Sequence, residues 1–289
     1  MSKAPSRRLA FITVLVLALT LGLGFATLCA VLGQFAWPLD LFGHFRPQWA
    51  ALGLIALLAS LLLRHLPLIA VNVVLLAANV VPLVPHLMSY IREPATAEAS
   101  GRAIRIASYN MRGLATDDAK FQAFVAAEKP DVIVLTEIPS DIDLRTAPLE
   151  AAYPHKLMTH RESYHEIGIL SRWPIAALET NRSAGIYTPV VAADLCPPSG
   201  ERGACLRLVA LHGMVPFGGG AAIQSQQFDI AGRMAGSHLG PVAVIGDFNA
   251  TPWSPGFNGL KRRANLIDAT RGRGLTPTWQ PERLSASIA

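Results

Sequence analysis

Three long apolar stretches fall within the first 88 residues, at about 9–36, 49–63 and 66–88, and they fix the organisation of the chain. A helix needs about 20 predominantly apolar residues, with a range of roughly 17–25, to cross a bilayer. The first and third stretches have that length. The second, at 15 residues, is short and needs its neighbours or local bilayer thinning to span. Pro67, Pro82 and Pro85, in or beside the third stretch, are tolerated within a packed membrane bundle. A cleaved signal peptide does not fit the first stretch. Lys3, Arg7 and Arg8 suit a signal's basic start, but the apolar run is far longer than the roughly 7–15 residues of a signal core. Leu28 also stands before Cys29, where lipoprotein processing requires a small residue. Residues 1–91 therefore read as a transmembrane region of about three helices.

Basic residues beside short loops set the orientation of such a region. Lys3, Arg7 and Arg8 precede the first stretch and Arg64 separates the second from the third, whereas the loop WPLDLFGHFRPQ carries Arg46 offset by Asp40. This pattern keeps the N-terminus inside, and three crossings then put everything after Arg92 outside. If the second stretch does not cross, the orientation reverses. Residues 92–102, containing REPATAEASG, read as a linker to a domain at 103–289. From Gly101 onward there are 19 Lys and Arg against 17 Asp and Glu. The sequence pI near 9.4 thus comes mostly from the membrane flanks and is no argument for a nucleic-acid-binding surface.

The cysteines give an independent view of the compartment. Cys29 lies in the first apolar stretch, while Cys196 and Cys205 bracket PPSGERGA between the strand-like runs PVVAADL and LRLVALH. Those runs read as a hairpin with a Pro/Gly loop, which brings the two cysteines near each other across its base. They are either two small apolar residues in a sheet or a disulfide. A disulfide would stabilise by about 2.5–3 kcal/mol in the chain-entropy model and requires an oxidising compartment.

Beyond the linker, strand-like and helix-like runs alternate. AIRIASYN (103–110) is a strand ending in Asn110, DDAKFQAFVAAEKP (117–130) has helical spacing, and DVIVLTEI (131–138) is a buried strand ending near Glu137. HEIGILSRWPI (165–175) and the cysteine hairpin read as antiparallel, LRLVALHGMVP ends in His212, and AAIQSQQFDIAGRMAGSHL reads as a helix. PVAVIG then reads as a strand buried on both faces, because its apolar residues do not alternate. It runs into DFNATPWSP. Asp247 and Asn249 are two apart, so in extended backbone they project to one side. Such a pair can hold a metal or orient a water, and it can equally form a turn. Asn110, Glu137, His212, and Asp247 with Asn249 thus stand at the ends of four strands. Together they offer hard oxygen ligands for magnesium, an imidazole for a phosphate oxygen, and amides to orient water.

SYNMRG, LTEI, GILSRWPI, LHGMVP and above all GDFNATPWSP resemble, in order, the motifs of the endonuclease/exonuclease/phosphatase superfamily, over about residues 103–279. The pattern is most similar to bacterial members with several membrane helices before the domain. The resemblance implies an α/β fold: a four-layer α/β sandwich, with two mixed sheets flanked by helices, preceded here by an N-terminal bundle of about three transmembrane helices. It also implies hydrolysis of phosphate esters with Mg2+ or Mn2+. Carried over, Glu137 is the principal metal ligand with Asn110 beside it. His212 hydrogen-bonds the scissile phosphate, and Asp247 with Asn249 orients the nucleophile and the leaving side. The expected substrate is a nucleic acid or, because the anchor holds the site near the bilayer, a lipid head group. The basic flanks and the cysteines place the domain on the periplasmic or extracellular face of a bacterial inner membrane.

One departure stands out. Family members follow the Thr-Trp motif with a strand ending in Asp-His, whose His is the general base. Here TPTWQ (276–280) is followed by PERLSASIA, and no Asp-His pair occurs after Asp247. Asp268 reads as a loop or cap residue. The resemblance therefore implies a C-terminally incomplete domain with weakened catalysis, since a general base contributes about 10²–10⁴-fold. A non-catalytic domain that binds a phosphate-bearing ligand is the alternative from another class.

Overall fold

The computed structural model describes residues 7–88, 104–113, 117–159, 165–185, 187–197, 205–275 and 278. The linker expected at 92–102 lies outside the described residues, as does TPTWQ except for Thr278. The chain divides into two compact units, one of residues 1–97 with 268–289 and one of residues 98–267.

The first unit holds α1 (Arg7–Leu32), α2 (Trp37–Gly43), α3 (Arg46–Leu62) and α4 (Leu66–Val80), which a 3-10 turn joins to α5 (Val84–Leu87). Arg7–Leu32 and Leu66–Leu87 are long and apolar enough to cross a membrane. Helices α2 and α3 meet at a 61° bend and have that length only if the pair counts as one span. The middle stretch thus differs from the expected 49–63 helix. It starts at Arg46, because Pro47 suits a first helical turn, and a separate helix precedes it.

The unit turns apolar side chains outward and polar ones inward. Phe11, Leu21, Phe25 and Val74 are exposed, whereas Thr20, Ser60, Asn72 and Asn79 are buried. In lipid every polar group needs an internal partner, and these residues find theirs across helices. Asn72 Nδ2 donates to Thr20 Oγ1 (3.0 Å) and Ser60 Oγ (3.1 Å), and Asn79 Nδ2 donates to Thr27 Oγ1 (2.8 Å). Both α1–α4 pairs join residues 52 apart in sequence. A constant offset across two helical turns means that α1 and α4 run parallel. Arg46, at the start of α3, donates to Ala30 O near the end of α1 and to Ala78 O near the end of α4. Helix α3 therefore runs antiparallel to both. At the end of α5, the carbonyls of Pro85 and His86 accept from Gly272 N (2.9 Å) and Gly274 N (2.7 Å), which satisfies acceptors that a helix end leaves open. Asp268 forms the turn that starts this segment, accepting from Thr270 N and Oγ1.

The second unit contains β1 (Ile106–Asn110), α6 (Asp118–Glu128), β2 (Val132–Thr136), α7 (Ile142–Thr146), β3 (His155–Met158), β4 (Ile167–Ser171), β5 (Ile175–Asn181) and β6 (Val190–Leu195). It continues with β7 (Leu206–His212), α8 (Gly219–Gly236), β8 (Val242–Asp247) and α9 (Pro255–Arg263). One sheet has the order β1-β2-β4-β3 and the other β5-β6-β7-β8. Each is mixed: β1 pairs β2 and β7 pairs β8 in parallel, and the other neighbours are antiparallel. Val134, Ile169, Val191 and Leu208 fill the space between the sheets. Phe121 and Val125 pack α6 on the outer face of the first sheet, and Phe228, Ala231 and Met234 pack α8 on that of the second. The result is the four-layer α/β sandwich. Strands β6 and β7 are covered on both faces, which is why their apolar residues do not alternate.

Two local expectations need correction. β3 went unread, because HKLM is short and half polar. β8 was expected to be buried on both faces, yet all six of its residues are only half-buried. Among the described residues it is an edge strand, paired with β7 alone, and a continuous apolar run cannot distinguish an edge from a centre. Cys196 and Cys205 are bonded just past the Leu195–Leu206 pair that ends the β6–β7 ladder, with Cα atoms 4.1 Å apart.

Candidate active site

The two parallel strand pairs end at one place. In the first sheet Asn110 pairs with Thr136, and Glu137 follows; in the second His212 pairs with Asp247. Asn110 Nδ2 donates to Glu137 Oε1 (2.8 Å) and to Asp247 Oδ2 (3.1 Å), so one amide bridges carboxylates from both sheets. His212 Nε2 lies 3.7 Å from Glu137 Oε1 and 3.4 Å from Asn249 Nδ2. The five residues singled out in the sequence are thus brought together.

Unusual backbone makes this convergence possible. Glu137 has φ 50° and Asn249 φ 46°, the left-handed region that costs a non-glycine residue about 1–2 kcal/mol. Gly113 N holds the first by donating to Glu137 O (2.8 Å). The second is held by a turn in which Asn249 N donates to Asp247 Oδ1 (2.9 Å). Asp247 and Asn249 therefore do not share a side through extended backbone, as the two-residue spacing suggested. The turn and the site are one structure: Asp247 uses Oδ1 for the turn and Oδ2 toward Asn110. Gly246, at φ 140°, has no room for a side chain, since a Cβ there would lie 2.0 Å from Leu211 O.

Residues of α8 fix the loops behind the site. Gln227 Nε2 donates to His212 O (2.7 Å) and its Oε1 accepts from Met214 N (2.8 Å). Gln224 Nε2 donates to the carbonyls of Met214, Phe248 and Asn249. Neither glutamine was recognised from sequence. Their spacing of three on the core face of a helix was the available signal, because a buried amide must have partners.

The Endonuclease/Exonuclease/phosphatase family matches residues 107–287. The chain belongs to this family. Its members are metal-dependent phosphoesterases, so the chain is of phosphate-ester hydrolase type. No curated protein sequence matches it. Among solved structures, the human nocturnin catalytic domain with bound sulfate is 16% identical, with 62% of this chain and 76% of that chain covered and a TM-score of 0.48. Sphingomyelinase C from Streptomyces griseocarneus is 20% identical, covering 58% and 72%, with a TM-score of 0.45. TDP2 of D. rerio, humanized by 14 mutations, is 17% identical, covering 57% and 68%, with a TM-score of 0.45.

Enzymes of the Endonuclease/Exonuclease/phosphatase family generally use divalent metals, and the donor set here fits one. Ligand atoms of Glu137, His212 and Asp247 all lie within 4.8 Å of one another. Two carboxylates this close repel unless a cation or a donor lies between them. Asn110 was expected as a ligand beside Glu137. Its NH₂ faces Glu137 and Asp247, and its Oδ1 accepts from Arg112 N (2.8 Å). A second histidine, absent from the sequence reading, joins the site. The rings of His165 and His212 stack at 4.8 Å and 21°. Burial, and then repulsion from His212, hold the His165 imidazole below its ordinary pKa.

Proposed function

We propose that the chain is a membrane-anchored phosphoesterase that uses Mg2+ or Mn2+ to hydrolyse a phosphate ester of a nucleic acid or a lipid head group. The observation that carries this reading is the bridge from Asn110 to Glu137 and Asp247, which gathers two carboxylates beside His212 where two sheets end. Glu137 and Asp247 would hold the cation. Bound there, it would neutralise phosphate charge and lower the pKa of water.

The protein groups act around it. His212 donates from Nε2–H to a phosphate oxygen. Asn249, whose Nδ2 donates to Gly213 O (2.8 Å), keeps its amide at the rim of the site to orient the leaving side. Asp247, at the same strand end, orients the attacking water.

The same reading assigns the first unit to a bacterial inner membrane and the domain to its outer face. Parallel α1 and α4 support it, because two spans that cross in one direction need an odd number of crossings between them. The bent α2–α3 pair supplies that return. Arg7 and Arg8 at the start of α1 and Arg64 before α4 then lie on one side, as basic residues do on the inside. The Cys196–Cys205 bond agrees with an oxidising exterior.

The full chain in detergent, given bis(p-nitrophenyl) phosphate, tests the activity. Hydrolysis that requires Mg2+ or Mn2+ and stops with EDTA is expected. Tight phosphate binding with no turnover at any metal concentration would instead support a non-catalytic binding domain.

A further inference from the structure

An active-site imidazole is ordinarily oriented by a hydrogen bond to the nitrogen that does not face the substrate. Among the described residues His212 lacks that bond. Its Nδ1 is buried, in a residue only 4% exposed, and has no hydrogen-bond partner there. On the other side of the ring, Nε2 has Glu137 Oε1 at 3.7 Å and Asn249 Nδ2 at 3.4 Å, both longer than a good hydrogen bond. The backbone of His212 is fixed by β7 and by Gln227, contacts that do not set the plane of its ring.

Among the described residues, the face of His165 lies against this ring, 4.8 Å away and tilted by 21°. His165 is itself well anchored. Its neighbour Glu166 is 1% exposed and binds Arg182 Nη2 (3.1 Å) and Thr159 Oγ1. Ile167, one residue further on, begins β4 and donates its N–H to Thr159 Oγ1 (2.9 Å). A flat side chain on a fixed strand end thus lies against an imidazole that hydrogen bonds do not orient.

We infer that His165 is a positioning residue, whose ring fixes the plane of the His212 imidazole so that Nε2 points into the gap between Glu137 and Asn249. This rests on the phosphoesterase reading above. In this role His165 acts on His212 through the flat face of its ring. It follows that a phenyl ring can replace it and a methyl group cannot.

The test uses the full chain in detergent, with His165→Ala, His165→Phe and both changes repeated in a His212→Ala background. Loss of a ring that orients a reacting group is expected to lower kcat by roughly 10–100-fold, with KM changed little, and His165→Phe should recover most of that loss. Once His212 is alanine, His165→Ala should cost nothing further, because the two residues form one coupled pair. Equal losses in both backgrounds, or a phenylalanine variant as impaired as the alanine one, would overturn the inference. Selective ¹³C labelling of histidine ring Cε1 gives a readout that does not depend on turnover. The His212 resonance should shift and broaden in His165→Ala and return close to its native position in His165→Phe. An unchanged His212 resonance in His165→Ala contradicts the inference even if the native chain proves inactive, an outcome that would count separately against the phosphoesterase reading.

Discussion

Asn110 and Asp247 are 137 residues apart in the chain, yet Nδ2 of the first lies 3.1 Å from Oδ2 of the second. The same Nδ2 lies 2.8 Å from Glu137 Oε1. A neutral donor shared by two carboxylates is a device for keeping them together without a cation, and it makes the site sensitive to any change in that donor.

Asn110→Asp replaces the donor with a third carboxylate. Without metal, the thermal midpoint of the full chain should fall, by an amount equivalent to about 1–3 kcal/mol for the lost hydrogen bonds and added repulsion. Millimolar Mg2+ or Mn2+ should restore more stability to this variant than to the native chain. Differential scanning calorimetry with and without metal reads both effects. Equal stabilisation of the two proteins by metal would separate Asn110 from the cation site.

Gly246→Ala tests the strand end. The added Cβ would meet Leu211 O at 2.0 Å, on a backbone with φ 140°. The change should cost at least about 2 kcal/mol and loosen the β7–β8 pairing that sets His212 beside Asp247. Hydrogen exchange at Leu211 and Ile245 should accelerate in this variant before the rest of the domain is affected.

How much of this was legible depended on what each residue must satisfy locally. The five polar residues at the strand ends were found because each interrupts an apolar run. The apolar stretches gave the membrane-type helices for the same reason. Gln224, Gln227 and His165 escaped notice because each acts across the fold, and nothing nearby in sequence marks the carbonyls or the ring that it meets. The left-handed backbone at Glu137 was equally hidden, since its cause is the carbonyl contact with Gly113. The parallel course of α1 and α4 was in principle readable from Thr20, Thr27, Asn72 and Asn79, whose seven-residue spacing repeats on both helices. Pairing them required knowing which helices touch.

The proposed outward topology makes a chemical prediction. Cys196 and Cys205 in native membranes should resist a membrane-impermeant alkylating reagent until reduced, and should then react without lysis of the cells. Replacing both with alanine should cost about 2.5–3 kcal/mol. Ready alkylation of unreduced protein only after lysis would reverse the orientation.

Acid should reveal the Asp194–Arg207 pair. Hydrogen bonding to the Arg207 guanidinium holds the Asp194 carboxyl below its ordinary pKa, with Arg207 Nε 2.8 Å from Oδ1. A carboxylate depressed in the folded state contributes stability that is complete above its unfolded pKa, near 3.9, and is lost as the pH falls through the lower folded value. Asp194→Asn should therefore be less stable than the native chain at neutral pH, and the gap should narrow below about pH 4. A gap independent of pH would remove the pair from the acid limb of the stability curve.

The central claim is that Glu137 and Asp247 together hold a catalytic cation, and titration of the full chain with Mn2+ tests it most directly, with bound and free metal distinguished by electron paramagnetic resonance. The native chain should bind the ion and, in the same samples, hydrolyse bis(p-nitrophenyl) phosphate. Glu137→Gln, which preserves shape and removes charge, should fold normally, weaken Mn2+ binding by at least about 10-fold and lower turnover by at least about 10²-fold. Unchanged metal affinity and turnover in a folded Glu137→Gln variant would contradict the account.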